Sequence, residues 1–110
     1  MESADNVGLG LPKIMDLQEF TLTTSRDSPP ARLIPALEAL WYVRKGNWDR
    51  AHAIVQQRED DNVNAVVHAH LHRIEGDLGN AGYWYRRAGK KMADAALEEE
   101  WKGLVAHFLG

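Results

Sequence analysis

The histidines between positions 68 and 72 are the side chains of this chain that are best placed to do chemistry. His68 and His72 are four residues apart, so on a helix they share one face, one turn apart. Two imidazoles at that spacing can bind one metal ion, and His52 or Glu75 could complete an open Zn²⁺ or Fe²⁺ site. The alternatives are half-buried imidazoles that only fix the packing through hydrogen bonds, or a pH-sensitive contact.

Two arginines form a second candidate site. Arg44 and Arg73 each lie just before a glycine, at Gly46 and Gly76, and two guanidinium groups on one surface can clamp a carboxylate by bidentate hydrogen bonds. In the interpretation that favours binding, these arginines line a cleft that also contains His68, His72 and Trp41. The alternative is pairing within the chain, for which the acidic candidates are Glu38, Glu75 and Asp77.

The aromatic and basic run at 83–91 is a third candidate. Tyr83-Trp84-Tyr85-Arg86-Arg87 is followed by Lys90-Lys91, and interleaved aromatic and basic residues can stack on bases and contact phosphates. We favour a solvated basic helix end instead, because cations are favourable near a helix C-terminus and the whole chain carries a net charge of −3. Nucleic acid is therefore not an expected partner.

The composition is that of a soluble globular chain. The 110 residues suit one domain, with 45% hydrophobic and 26% charged residues. The absence of cysteine excludes disulfides and thiolate metal sites. The acidic start lacks the features of a signal peptide, and no window approaches the ~20 apolar residues of a membrane span. We therefore expect a cytoplasmic protein that does not contact membranes.

The elements that would position these residues come from an internal repeat. The stretch from Ala39 to Ala51 and the stretch from Ala69 to Ala81 place small, apolar and turn residues in the same slots around Gly46 and Gly76. A period of about thirty residues is typical of stacked helical hairpins. The apolar spacing predicts helices over 28–45, 47–58, 63–75, 77–88 and 93–109.

The domain organisation follows from this pattern. Residues 28–110 form a single helical-hairpin repeat domain, in which the last helix has an apolar seam and a charged back made by Glu98, Glu99, Glu100 and Lys102. Residues 1–27 are an N-terminal extension, partly ordered. It contains either a short helix with Ile14, Leu17 and Phe20 packed alongside the body or a frayed tail.

The repeat resembles tetratricopeptide-type hairpins. Ala69, Gly76, Asp77, Ala81, Tyr85 and Ala88 match that motif well. The first copy matches through Ala39, Tyr42, Gly46, Asn47, Trp48 and Ala51, with Arg58 in the last alanine slot. The resemblance implies an all-α fold of two antiparallel hairpins plus a C-terminal capping helix. The stretch 68–89 is also similar to a small uncharacterised family of bacterial and fungal proteins, which implies no activity.

The resemblance favours a binding or scaffold module with no assignable enzymatic activity and no cofactor. Its partner would be a peptide or protein, whose acidic groups Arg44 and Arg73 would contact. Self-association into a homodimer would cover exposed helix faces. The alternative from a different class is a small metal-binding protein or metal-dependent enzyme that uses His52, His68, His72 and Glu75 with Zn²⁺ or Fe²⁺.

Overall fold

The computed structural model describes residues 15–110, and within that range the fold is all-helical, without a strand. The predicted all-α class is therefore confirmed. Each helix of the repeat region overlaps one of the five predicted from the apolar spacing. The six helices of the described range are α1 (Leu17–Thr23), α2 (Pro35–Arg44), α3 (Trp48–Gln56), α4 (Asn62–Ile74), α5 (Leu78–Arg87) and α6 (Leu97–Leu109).

The internal repeat is visible in two matching turns. Gly46 and Gly76 both have a positive φ, at 78° and 83°, a conformation in which glycine avoids the steric cost of a Cβ. In both turns the amide after the glycine donates to a carbonyl five residues back, Asn47 to Tyr42 and Asp77 to His72, each at 2.9 Å. The pairs α2–α3 and α4–α5 are each joined by this turn, and the two pairs pack against each other.

The prediction that the first helix of the repeat begins near residue 28 was wrong by several residues. Helix α2 begins at Pro35, and Ile34 before it is extended, with φ −65° and ψ 155°. The residue before a proline is disfavoured in the helical region because the proline ring clashes with it. Just upstream, Arg32 has a φ of 67°, which is also incompatible with a right-handed helix. Helix α6 likewise begins at Leu97, later than the predicted residue 93.

Helix α6 lies against both α2 and α4. Trp101 is its anchor, because its ring is 3% exposed and its Nε1 donates to the carbonyl oxygen of Leu40 at 2.8 Å. A buried tryptophan needs a partner for this N–H, and Leu40 in the middle of α2 provides one. Helix α6 therefore packs against both helices between which the peptide-binding cleft was predicted.

The described part of the N-terminal extension packs on this core. A capping box between Asp16 and Glu19 begins α1, Phe20 is fully buried, and its ring lies 6.1 Å from that of Trp101. Thr23 accepts a hydrogen bond from Trp41 Nε1 at 3.1 Å. Ile14, which was predicted to share this helix, lies outside the described residues. None of the helices described is long and apolar enough to cross a bilayer.

Candidate metal centre

Three histidines from two helices meet where the two helix pairs touch. His52 comes from α3, and His68 and His72 come from α4. The Nε2 atoms of His52 and His68 are 3.0 Å apart, and one ring nitrogen from each of the three residues lies within 4.8 Å of the other two. The sequence offered these three histidines, together with Glu75, as an alternative metal site, and the structure brings the three imidazoles together. We call these three residues the histidine triad.

The triad has this geometry because of its spacing along two packed helices. His68 and His72 are one turn apart on α4, with nearly parallel rings whose centroids are 5.1 Å apart. His52 crosses from α3 and meets both rings edge-on, at 4.8 Å from His68 and 5.5 Å from His72. His68 and His72 are buried, and His52 is half-buried, so His52 is the member of the triad that solvent reaches.

Two tryptophans hold the triad from either side. Trp84 of α5 stacks on His68 with the ring centroids 3.9 Å apart, and Trp48 of α3 stacks on His52 at 4.7 Å. Trp48 is fixed in turn, because its Nε1 donates to the carbonyl oxygen of Leu71 at 2.7 Å. Apolar ring faces restrict how far the imidazoles can rotate, and water is kept from one side of each ring. This role of Trp48 and Trp84 was not predicted from the sequence.

Glu75 orients His72. The Nδ1 of His72 donates to Glu75 Oε2 at 2.6 Å, since a carboxylate at that position can only accept. In the neutral tautomer that this bond selects, Nε2 carries the lone pair. A carboxylate behind the far nitrogen of an imidazole is the usual outer partner of a metal-binding histidine. Glu75 was predicted as a possible metal ligand. In the structure its carboxylate contacts His72, another of the ligand candidates.

A second acidic group near His72 has another task. Asp77 has an oxygen within reach of Glu75 and His72, but its side chain caps α5. Its carboxylate accepts from the side-chain nitrogen of Asn80 at 2.7 Å and from the Asn80 amide at 3.2 Å. These hydrogen bonds lower the pKa of Asp77. The carboxylate is therefore occupied by the helix N-terminus, as Asn and Asp caps usually are.

Burial favours the uncharged form of two members of the triad, His52 and His68. Removal from water, with the neighbouring His52 and His72 as further causes, lowers the pKa of His68 to about 4. Burial also lowers the pKa of His52, with His72 as the next cause. Imidazoles that stay neutral at pH 7 keep a lone pair for a partner, and metal ions bind that form.

The lowered pKa of His68 predicts how the stability of the metal-free chain depends on pH. The unfolded chain binds a proton at this site below its ordinary pKa of 6.5, whereas the folded chain binds it only near pH 4. The unfolded state then holds more protons between these values, so stability falls as the pH drops through that window. We expect a loss of about 2 kcal/mol between pH 7 and pH 5.

This loss is measured by urea denaturation in the presence of a chelator. His68→Gln removes the titrating group, so its stability should change with pH less than that of the original chain by about the same amount. A second variant, His107→Gln, alters an exposed histidine of α6 and should leave the pH dependence as it was. If the free energy of unfolding changed equally with pH in the original chain and in His68→Gln, this would contradict the expectation.

A buried carboxylate network was not predicted from the sequence. Glu100 was assigned to the solvent face of the last helix, and this was wrong, because its side chain is 7% exposed. His70 Nδ1 donates to its Oε1 at 2.7 Å, Arg73 to the same oxygen at 2.6 Å, and the Tyr85 hydroxyl to Oε2. The carboxylate of Glu100 on α6 is therefore hydrogen-bonded to side chains of both α4 and α5. We call these four residues the Glu100 network.

The electrostatics of this network favour an ionised carboxylate. Burial on its own raises the pKa of Glu100, but the hydrogen bonds from His70 and Tyr85 and the nearby Arg73 outweigh it and lower the pKa. Burial and the adjacent carboxylate together raise the pKa of Tyr85 well above its ordinary value. Glu100 is therefore a charged and fully partnered acceptor, the arrangement in which a buried charge is tolerated.

The two arginines of the predicted carboxylate clamp contact acidic side chains of α6. Arg44 Nη2 lies 3.0 Å from Glu98 Oε2, and its guanidinium stacks 3.9 Å above the Trp101 ring. Arg73 belongs to the Glu100 network. Both arginines pair within the chain, as the alternative interpretation expected. Their partners are Glu98 and Glu100, which differ from the acidic candidates named from the sequence. Trp41, predicted to lie near the same cleft, is fully buried.

The aromatic and basic run divides between core and surface. Trp84 and Tyr85 are buried, whereas Arg86 and Arg87 are exposed. Arg87 donates to the carbonyl oxygen of Glu59 at 3.0 Å, which connects α5 to the turn that follows α3. Tyr83 is the exposed aromatic side chain of the run, so two of its three rings are used inside the protein and are not free to stack on a nucleic acid.

Comparison with known proteins adds no relative: no protein-family model, curated protein or solved structure matches the chain.

Proposed function

We propose that this protein binds one divalent transition-metal ion through His52, His68 and His72. The observation that carries the proposal is the convergence of one nitrogen from each residue within 4.8 Å of the other two. Imidazole nitrogens suit Zn²⁺, Cu²⁺, Ni²⁺ and Fe²⁺, whereas Mg²⁺ and Ca²⁺ require oxygen ligands. We take Zn²⁺ as the first ion to test, because three histidines are a recurrent ligand set for zinc.

The distance between the nitrogens of His52 and His68 is close to that which a zinc ion requires. Zinc–nitrogen bonds of about 2.0–2.1 Å in tetrahedral geometry place the nitrogens roughly 3.3 Å apart. The His52 and His68 nitrogens are 3.0 Å apart, where one imidazole must donate a proton to the other. A metal ion would take the place of that proton, which would move to Nδ1 of the donor ring so that both Nε2 atoms carry a lone pair. Small rotations of the rings would open the space.

The surroundings support the same interpretation. Glu75 holds the His72 ring by its Nδ1, and this leaves Nε2 as the atom for the metal. Trp48 and Trp84 stack on the other two imidazoles, so the rings are held before an ion arrives. A site that is ordered in advance loses less conformational entropy on binding.

Three protein ligands leave one position of a tetrahedral ion open, and His52, the half-buried member, lies on the side that solvent reaches. An ion in that state lowers the pKa of a bound water to about 7 and can polarise a carbonyl or phosphoryl oxygen. The chain's own part is to fix the three imidazoles and to exclude water from their stacked faces.

The peptide-binding function stays a prediction. No contact of Arg44 or Arg73 supports it, since both arginines pair with acidic residues of α6.

The test is calorimetric titration of Zn²⁺ into tag-free protein treated with a chelator. We expect one ion per chain. His52→Ala, which removes the most accessible ligand, should weaken binding by at least about 100-fold, and Glu75→Gln by roughly 10- to 100-fold. His107→Ala, an exposed histidine outside the triad, is the matched control and should bind like the original chain. No binding, or equal binding by His52→Ala, would overturn the proposal.

A further inference from the structure

A cavity of about 500 Å³ lies between α4, the segment after α5, and α6. Its walls are mainly apolar and include Val63, Val66, Leu104 and Phe108. Val63 is 48% exposed although it is a large apolar side chain, so part of this wall faces solvent. The volume lies within the ~300–1,000 Å³ of small-molecule sites, which are also mostly apolar.

The charges around this cavity are positive at its edge. Lys90 and Lys91 both line it and both are exposed. No carboxylate of residues 15–110 forms an ion pair with either lysine. Glu100 is the one acidic side chain in the lining, and Arg73 neutralises it at 2.6 Å. An acidic group at the edge would therefore meet two unpaired cations and no unpaired anion.

We infer that this cavity binds an amphiphile with an aliphatic chain and an acidic head group, of which fatty acids are the simplest class. The chain lies along Val63, Val66, Leu104 and Phe108, and the head group meets Lys90 and Lys91. The Tyr85 hydroxyl, which also lines the cavity, already donates to Glu100, so the interior offers the ligand apolar contact. This site shares no residue with the histidine triad, and the inference does not depend on the metal.

Gly103 provides a way to fill the cavity without disturbing the core. It lines the cavity in the middle of α6, and a Cβ built there has no atom within 4 Å. A larger residue at this exposed helix position should also favour the helix, since glycine has low helix propensity. Gly103→Phe is thus a blocking variant that is expected to fold, and Gly103→Ala is its matched control with a single methyl group.

The experiment is calorimetric titration with dodecanoate below its micellar concentration. We expect one molecule per chain. Gly103→Phe should weaken binding by about tenfold or more, because it occupies the apolar part of the site. The double variant Lys90→Glu and Lys91→Glu should weaken it by about tenfold through the lost charges. Gly103→Ala should bind like the original chain, and so should the double variant of Arg50→Glu on α3 and Arg58→Glu in the turn after it.

Dodecyltrimethylammonium, with the same chain and a cationic head, tests the charge and should bind at least about tenfold more weakly. Equal affinity for the two amphiphiles, or binding of several molecules that Gly103→Phe leaves unchanged, would overturn the inference in favour of surface adsorption. The absence of dodecanoate binding would overturn it as well. Circular dichroism verifies that each variant is folded, and the lysine variants test the site separately if Gly103→Phe is not.

Discussion

Glu100→Ala is expected to lower the free energy of unfolding by about 3–5 kcal/mol, the usual effect of removing one partner of a buried charge pair. The substitution leaves Arg73, which is 14% exposed at its side chain, without its carboxylate. It also leaves His70 Nδ1 and the Tyr85 hydroxyl without their acceptor. Three donors from α4 and α5 lose a partner at once, and each unsatisfied buried donor costs about 1–3 kcal/mol.

Urea denaturation measures this effect, and the neighbouring residue provides the control. Glu99 is also a glutamate of α6, but its side chain is 66% exposed, so Glu99→Ala should change the stability by less than about 0.5 kcal/mol. Glu100→Gln keeps the shape and one acceptor, and it should fall between the two. If Glu100→Ala and Glu99→Ala cost the same, the Glu100 network does not hold α6 in place.

Saturating Zn²⁺ is expected to stabilise the folded chain by about 4 kcal/mol at a thousandfold excess over the dissociation constant. The ion would join α3 to α4, which belong to different helix pairs, and it binds the folded state because the unfolded chain does not hold the three imidazoles together. The midpoint of thermal unfolding should then rise by more than about 10 °C.

The stabilisation should follow the triad and the type of ion. His52→Ala should show little or no rise with Zn²⁺, and His107→Ala should show the full rise. Mg²⁺ at the same concentration should have no effect, because it prefers oxygen ligands in octahedral geometry. A rise of the same size in His52→Ala would place the ion elsewhere, for example on the exposed carboxylates of α6.

The parts of the fold that follow from local rules were predictable from the sequence. The glycines at 46 and 76 end two helices at equivalent points, as expected from their permissive backbone. The members of the triad could also be named as ligand candidates from the sequence, although their convergence was left open. His68 and His72 share a helix face by spacing alone, and the apolar neighbours of His52 turn that face of α3 inward, so a packed pair of helices brings all three together.

Long-range pairings could not be predicted in the same way. Glu100 lies between Leu97 and Leu104 at helical spacing, so it falls within the apolar stripe, and this was the signal that it is buried. Its charge nevertheless made solvent the default, because an isolated buried carboxylate is costly. Only the position of α6 beside α4 shows the donors His70 and Arg73 that offset this cost. The stacking of Trp84 on His68 depends on tertiary packing for the same reason.

X-ray absorption spectroscopy at the zinc edge is the most direct test of the proposed centre. The account predicts, for protein loaded with one Zn²⁺ per chain, three imidazole nitrogens at about 2.0–2.1 Å and one further light ligand. His52→Ala, loaded in the same way, should lose one imidazole from this shell. A shell made mainly of oxygen atoms, or one that His52→Ala leaves unchanged, would contradict metal binding by the histidine triad.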